Sequence, residues 1–323
     1  EDVKKSNKNS GKNNVSTGAK ILQNLFYKTN NKSYELIVEY KKLVKMKGAF
    51  IDGWKPKEDG RIHTNLTFRP ASGQLSSRKP NIQQGPQHSK LAERFKETIE
   101  AKDGYLLVNL DYKSYHALLL GFLALDYDYM RLAKLDIHSY VTAHMVQHPL
   151  RYEIINWEDD KLREFLQEIK KKHKSLRDDQ AKHAILGIGF GLSEKGCHER
   201  YRDDFNPTAE EALKGKKKIY KDEALANLIE SIGKARVRDL YKLLRKLFPK
   251  VFKWQEETII KADQQGYLQT VYGFRRWFLG ATKTKYDKFG NSKGVVKGEQ
   301  AEQALAYLVS NNAHIHMRET MLL

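Results

Sequence analysis

The sequence has little of the material that marks a secreted or membrane protein. Its 323 residues include a single cysteine, Cys197, which excludes an internal disulfide and argues against a zinc cluster. No run approaches the roughly 18 uninterrupted apolar residues of a membrane span. The N-terminus lacks the apolar centre of a signal peptide. These absences predict a soluble protein of a reducing cell interior, with no membrane partner.

Acidic residues are scarce relative to basic ones. The sequence has 40 Asp and Glu residues and 58 Lys and Arg residues, which gives a formal net charge of +18, and 11% of its residues are aromatic. This balance favours a polyanionic partner whose bases stack on aromatic rings, and nucleic acid is the first candidate. The lysine runs at 170–172 and 216–218 lack the apolar face of an interfacial helix. We interpret them as solvated helix faces rather than phosphate clamps.

The pattern along the chain predicts a sheet domain split by a long helical insertion. Residues 1–18 have almost no apolar side chains and predict a flexible basic segment. A helical hairpin is expected over 21–46, and short strands and turns over 59–85. A buried strand is expected at 105–110, followed by a helix over 114–123. Helices dominate 129–262, strands return at 267–272 and 275–278, and the last 25 residues predict one helix.

Asp111 is the first candidate for chemistry. It follows the apolar run 105–110, so a sheet would hold its carboxylate rigidly, as metal-dependent phosphoryl transfer requires. Taken alone, such a position is more typical of an aspartate that caps the next helix.

A second segment has a sharper pattern. Ser175 and Asp178 fit a capping motif, which predicts a helix from Leu176. Lys182, Leu186 and Phe190 then recur every four residues, each step advancing about 40° and rising about 6 Å.

This strip of cation, apolar group and ring matches a nucleoside triphosphate lying along a helix, with its phosphates on Lys182, its sugar against Leu186 and its base against Phe190. An ordinary amphipathic helix with a solvated lysine has the same spacing. The glycines at 187, 189 and 191 weigh against that simpler interpretation, since each costs about 0.5–1 kcal/mol in a helix relative to alanine. They predict a close neighbour at the backbone.

Six ordered blocks together make the chain resemble the polymerase portion of the family A DNA polymerases, the group of bacterial DNA polymerase I and many phage replicative enzymes. The resemblance runs from Ile21 to the last residue. The blocks are Asp59 to Thr64, residues 72–77 with 80–83, Asp111-Tyr112, Asp136 to His138, Lys182 to Gly191, and Gly266-Tyr267 with Thr270, Tyr272-Gly273 and Arg275-Arg276.

The resemblance implies an α+β right-hand polymerase with a mainly antiparallel palm sheet, helical fingers and a short helical thumb. After the flexible segment 1–18, the thumb would occupy 19–57, the first part of the palm 58–128, the fingers 129–265 and the second part of the palm 266–323, with the C-terminal palm hairpin absent. The implied activity is template-directed addition of deoxynucleotides to a primer 3′-hydroxyl, in the cytoplasm of a bacterium or a phage-infected host.

The resemblance also implies the roles of individual residues. Asp111 and Lys182 would be catalytic, and Asp111 with the Tyr112 carbonyl would bind two Mg²⁺ ions. The nucleotide would contact Tyr112, Ser114, His116, His138, Lys182, Leu186 and Phe190. Primer–template DNA would contact Gln74, Arg78, Arg276 and Asn311, although for Arg276 and Asn311 a solvated polar role is as plausible. The implied partners are primer–template DNA, dNTP, and a C-terminal polymerase fragment or processivity factor.

The chain departs from the family pattern at several positions. His116 stands where the family has a glutamate that helps to exclude the ribose 2′-hydroxyl, which predicts altered sugar discrimination. Arg177 precedes Lys182 by five residues rather than four, and in a regular helix this places the two about 140° apart. Gln74 replaces a primer-side arginine, for which Arg78 is the candidate substitute.

The family's second metal-binding aspartate belongs to a hairpin after the last helix, and the sequence reaches Leu323 without it. A further C-terminal piece, a second polypeptide, or loss of activity would each account for this. The retained nucleotide strip favours the first two. The alternative functions are therefore an inactive or split-gene module that binds primer–template, and a single-subunit RNA polymerase-like enzyme.

Overall fold

The structure, a computed structural model, describes residues 18, 22, 25, 31–67, 70, 74–86, 90–214, 222–287, 289 and 292–322. The predicted flexible segment and most of the first predicted helix lie outside these residues. The chain divides into two compact units. The first comprises Glu1–Arg69 and Leu75–Asn109, and the second comprises Pro70–Gln74 and Leu110–Leu323.

In its described residues, the first unit combines short helices with one short antiparallel ribbon. Its elements are α1 (Lys32–Met46), a π-helical turn (Lys47–Ile51), β1 (Asn65–Thr67), β2 (Ser76–Arg78) and α2 (Lys90–Lys96). The Asn31 side chain accepts a hydrogen bond from the Ser33 N–H at 3.0 Å and so caps α1. The rings of Phe50, Trp54 and Phe95 pack with centroids 5.4 to 6.0 Å apart. The second predicted helix and the short strands over 59–85 are confirmed.

The second unit begins as a run of helices. They are α3 (Tyr115–Leu123), α4 (Tyr127–Leu135), α5 (Ile137–Met145), α6 (Asp159–Lys172), a π-helical turn (Leu176–Ala181), α7 (Lys182–Gly189), α8 (Glu194–Arg200), α9 (Arg202–Phe205), α10 (Ala209–Leu213), α11 (Asp222–Leu247) and α12 (Pro249–Gln265). Polar caps set several boundaries: Asp126 accepts from the Tyr129 N–H and Asp136 from the Ser139 N–H. The predicted helix over 114–123 and the helical character of 129–262 are confirmed.

Two further ribbons and a long helix complete the second unit. They are β3 (Tyr267–Gln269), β4 (Arg275–Trp277), β5 (Thr282–Tyr286), β6 (Ser292–Lys297) and α13 (Ala301–Leu322). The β3–β4 and β5–β6 pairs are antiparallel, with Leu268 opposite Arg276. The protein is therefore mostly helical with small antiparallel ribbons. Among the described residues the strands form three two-stranded sheets rather than one palm sheet.

Two buried clusters hold the second unit together. The larger lies between the helices and includes Leu132, Leu166 and Leu244, each at most 1% exposed. The smaller joins the β3–β4 ribbon to α13 through Leu268 and Leu305, which are 2% and 0% exposed. Within the part of the chain that the structure describes, the helices are all too short or too polar to cross a membrane.

The predicted buried strand at 105–110 is wrong. The segment has no regular secondary structure, and Leu106 and Leu110 are 89% and 78% exposed. A strand forms only where a neighbouring strand pairs with its N–H and C=O groups. Among the described residues, no strand pairs with this segment. Its apolar side chains indicate a tendency to form a strand, but they supply no partner.

Candidate active site

A cavity of about 270 Å³ in the second unit gathers most of the residues expected to bind nucleotide. Its walls are formed by the start of α3, the start of α5, α7 and one residue of α13. The predicted residues that line it are Asp111, Tyr112, Ser114, His116, His138, Leu186 and Phe190. The predicted residues, separated by up to 79 positions in sequence, thus meet in one place.

The stretch from Asp111 into α3 is fixed by ring stacking and a tight turn. The Tyr112 ring stacks on Tyr115 with centroids 4.9 Å apart, and His316 of α13 lies 5.6 Å from Tyr112. Ser114 adopts a left-handed conformation (φ 52°) immediately before α3. The carboxylate of Asp111 therefore reaches the cavity from a stacked turn rather than from a sheet edge.

The apolar side of the cavity is formed by α7. Leu186 and Phe190 both line it, as their four-residue spacing predicts. His116, in the first turn of α3, faces Phe190 with ring centroids 6.0 Å apart. Burial lowers the pKa of His116, so its imidazole is neutral at pH 7. A neutral ring occupies the place where the family resemblance implies a carboxylate.

His138 marks the polar end of the cavity. Burial lowers the pKa of His138 to about 4; the Asp136 carboxylate opposes this shift, whereas the charges of Arg177 and Lys182 add to it. The Lys182 side chain, which is exposed and does not line the cavity, therefore lies close enough to His138 to act on it electrostatically. Of the predicted strip, Leu186 and Phe190 thus line the cavity, and Lys182 acts on His138 from outside the lining.

The helix that carries Lys182 is irregular. Residues Leu176–Ala181 form a π-helical turn, in which the Lys182 N–H donates to the Arg177 carbonyl. A bond between residues five apart widens the helical turn, so Arg177 and Lys182 lie nearer to one side than in a regular helix. The charge of Arg177 accordingly acts on His138, as that of Lys182 does. The separation of about 140° expected for a regular helix is therefore wrong here. The predicted cap is also wrong, because Ser175 is helical and its hydroxyl donates to Asp179 at 2.6 Å.

Arg177 holds the helix that carries His138. Its Nη2 donates to both carboxylate oxygens of Asp136 at 2.9 Å, and its Nε donates to one of them at 3.1 Å. The two side chains are only 13% and 16% exposed. Burial raises the pKa of Asp136, but hydrogen bonds from Arg177 and Ser139 outweigh that effect and lower it overall, so the carboxylate stays ionised. Sequence reasoning missed this ion pair.

The close neighbour predicted at the glycines is found at Gly191. This residue has a φ of +74°, and a Cβ there would lie 2.4 Å from Cδ1 of Leu305 in α13. At Gly189 the nearest atom would be at an ordinary 3.5 Å. The neighbour at Gly191 is a side chain of this protein rather than a ligand.

The residues expected to contact DNA have different environments. Gln74 and Arg78 are exposed. Arg276 donates from Nη2 to Gln303 of α13 at 3.1 Å, and its guanidinium lies over the Phe278 ring at 4.9 Å. Asn311 is only 5% exposed, so the interpretation of Asn311 as a solvated polar residue is wrong.

The acidic ligands at this site suit one magnesium ion better than two. Asp111 is the one acidic residue that the structure places on the cavity lining. In the described part of the chain, no three His, Cys, Asp or Glu side chains lie together as a metal site. Mg²⁺ usually takes one or two protein carboxylates and completes its shell with water and substrate phosphates. Asp111, as the one carboxylate on the lining, fits a single such ion.

Comparison with known proteins identifies the family. The sequence profile of DNA polymerase family A matches residues 1–202, and the chain belongs to this family. It is 27% identical over 271 residues to the thermostable DNA polymerase I of Thermus aquaticus, covering 81% of this chain and 26% of that protein. It is 23% identical over 276 residues to DNA polymerase I of Deinococcus radiodurans, covering 84% and 23%. The chain spans about a quarter of the length of these relatives.

A solved structure shares the fold. The polymerase domain of Pol1 from M. smegmatis, determined in complex with a DNA primer–template and dNTP, aligns with a TM-score of 0.56 at 20% identity. The alignment covers 97% of this chain and 45% of that one.

Proposed function

We propose that this chain is the nucleotide-binding and catalytic part of a template-directed DNA polymerase that extends a primer 3′-hydroxyl with dNTP. The observation that supports this most directly is the shared cavity, where Asp111 on one side faces Leu186 and Phe190 on the other, with His138 at the polar end. Membership of DNA polymerase family A supports the same activity. The right-hand arrangement, with fingers over 129–265 and palm over 58–128 and 266–323, is part of this proposal.

Each side chain has a distinct role. Lys182 and His138 contact the triphosphate, since the ammonium supplies charge and the neutral imidazole a hydrogen bond. Leu186 and Phe190 cover the sugar and the base. Asp111 and the Tyr112 carbonyl would hold magnesium, which would supply positive charge to stabilise the transferred phosphoryl group.

The primer–template contacts four polar residues. Gln74, Arg78, Arg276 and Asn311 are the proposed contacts. A site for two ions would need a second carboxylate beside Asp111. A second candidate function, primer–template binding without catalysis, is favoured by one observation: Asp111 is the one acid that lines the cavity within the described residues.

Primer extension with Mg²⁺ by the full natural gene product tests the proposal. Asp111→Ala is expected to reduce kcat by at least about a hundredfold, because several kcal/mol of charge stabilisation depend on metal binding. Lys182→Ala is expected to raise the KM for dNTP about tenfold through loss of one charge-assisted contact. Both variants should bind primer–template as the wild type does. Parallel reactions with rNTP in place of dNTP test the alternative that the protein is an RNA polymerase.

Asp103→Ala and Lys195→Ala are the matched controls, since both residues are exposed and neither lines the cavity. They should extend the primer at the wild-type rate. Undiminished extension by Asp111→Ala would refute the assignment of the site. Binding without any extension by the wild type would support the second candidate function.

A further inference from the structure

A second cavity adjoins the nucleotide cavity. It has a volume of about 170 Å³ and lies between α6, the π-helical turn and the residues around the starts of α3 and α5. Ser114 and His138 line both cavities. The two cavities therefore adjoin along these two residues.

The lining of the second cavity is strongly basic. Four cationic residues, Lys113, Arg163, Lys170 and Arg177, face one acidic residue, Asp136. Arg177 and Asp136 neutralise each other through their paired hydrogen bonds. The remaining three cations have no buried carboxylate on the lining to oppose them. The cavity is therefore suited to an anion with several charges.

Two of these cations keep donor capacity for a ligand. Lys113 Nζ lies 3.4 and 3.3 Å from the carbonyl oxygens of Lys134 and Leu135, and a lysine ammonium has three donors, so one remains. Arg163 Nη1 lies 2.8 Å from Asp160, whose side chain is 92% exposed. Such an exposed ion pair contributes little and gives way readily to a better acceptor.

The outer wall is a single face of α6. Arg163, Gln167 and Lys170 are spaced four and three residues apart, so they lie on one side of the helix and all line the cavity. The sequence alone favours a solvated face for Lys170. The structure instead places it with Arg163 at a basic opening, with the Gln167 amide between them as a further donor.

We propose that this second cavity binds the pyrophosphate released by nucleotidyl transfer. The proposal rests on the function proposed above. In that reaction the primer 3′-oxygen forms a bond to the α-phosphorus while the bond from the α-phosphorus to its bridging oxygen breaks. The bridging oxygen keeps the electron pair and leaves as part of pyrophosphate, and the hydroxyl proton passes to solvent. The polyanion formed beside His138 then meets the three cations of the neighbouring cavity.

Calorimetric titration of the protein with inorganic pyrophosphate tests this site without any turnover. In the double variant Arg163→Ala/Lys170→Ala, the Kd for pyrophosphate is expected to rise about tenfold, because two charge-assisted contacts are lost. The matched control is Lys171→Ala/Lys172→Ala, which removes the same charge from the same helix at positions that do not line the cavity. It should change the Kd less than about twofold, as expected for surface charges. The same variants are also titrated with dATP, to measure whether their affinity for the substrate changes as well.

Three results would overturn the proposal. An equal rise of the Kd for pyrophosphate in the control variant would show a general effect of net charge. An unchanged Kd in the cavity variant would show that pyrophosphate does not bind there. A dATP affinity that falls as far as that of pyrophosphate would assign the cavity to the triphosphate tail of the substrate instead. If primer extension still depends on Asp111 while any of these occurs, only the pyrophosphate site fails and the proposed function stands.

Discussion

The helical wall of the nucleotide cavity, which we define as residues 136–145 and 176–190, contrasts with the segment 105–111 that leads to Asp111. The helical wall has closed backbone hydrogen bonds, buried residues such as Ile185 and a partly buried ion pair between Arg177 and Asp136. The segment 105–111 is exposed and has no regular secondary structure, and among the described residues no strand pairs with it. The helical wall and the segment 105–111 therefore differ in where their backbone hydrogen-bond partners lie.

The physical reason is the range of the hydrogen bonds. A helix pairs each N–H with a carbonyl a few residues away, so its sequence contains everything that its backbone requires. An extended segment pairs with a strand that is remote in sequence or in another chain. The helical wall closes its hydrogen bonds within its own segments, whereas no described strand supplies such bonds to segment 105–111.

The largest expected difference between the two regions is in packing. Leu132→Ala, at a site that is 0% exposed, is expected to lower the free energy of unfolding by about 2–5 kcal/mol because it leaves a cavity in the helical core. Leu106→Ala, at a site that is 89% exposed, is expected to cost less than about 0.5 kcal/mol. Urea unfolding of the two variants measures both. Equal losses of unfolding free energy in the two variants would show that segment 105–111 is packed.

The ion pair in the helical wall is expected to have the next largest effect. Arg177→Met leaves the Asp136 carboxylate, which is 16% exposed, without its partner and should cost about 3 kcal/mol. Asp136→Asn keeps a capping side chain for α5 and should therefore cost less than Asp136→Ala. Urea unfolding measures all three variants. If Arg177→Met unfolds at the wild-type midpoint, the ion pair does not hold the two segments together.

The helical wall should also be sensitive to acid through His144 of α5. Burial lowers the pKa of His144 to about 4, and the charges of Arg151 and Lys246 add to the shift. Since this folded-state pKa lies below the ordinary value, the unfolded state binds the proton more readily, and stability falls as the pH drops from about 6.5 towards 4. His144→Gln should remove about 2 kcal/mol of that loss. His63→Gln, at a side chain that is 56% exposed, is the control for urea unfolding across this range.

The smallest expected effect concerns sugar choice. His116 presents a neutral ring to Phe190, and His116→Glu would place a carboxylate where a ribose 2′-hydroxyl would lie. We expect the preference for dNTP over rNTP to increase about tenfold, the usual scale for a single contact in a binding pocket. Steady-state kcat/KM for both substrates measures this. An unchanged ratio would mean that His116 does not contact the sugar.

Local sequence predicted the parts of the site that depend on local structure. The spacing of Leu186 and Phe190 placed both on one wall, and the helices from Tyr115, Ile137 and Ala301 have capping or apolar patterns that are visible in the sequence. Gly191 was identified as a position with a close neighbour, although the pattern did not show that Leu305 is that neighbour.

Other parts depend on contacts that sequence spacing does not encode. The π-helical turn that brings Arg177 towards His138 adds one residue to a helix, and the resulting ion pair joins residues 41 positions apart. The apolar run 105–110 has the composition of a buried strand, but composition does not specify a partner. The sequence shows that α6 has a basic face, but only the structure shows that this face lines a cavity.

The central claim is that the cavity between Asp111 and α7 holds an incoming nucleotide with its base against Phe190. Photolabelling with azido-dATP in the presence of Mg²⁺, followed by peptide mapping, tests this most directly. We expect the label on the peptide that contains Phe190, and we expect excess dATP to prevent labelling and Lys182→Ala to weaken it. A label on a peptide remote from this cavity, or one that is unaffected by Lys182→Ala, would show that the nucleotide does not bind there.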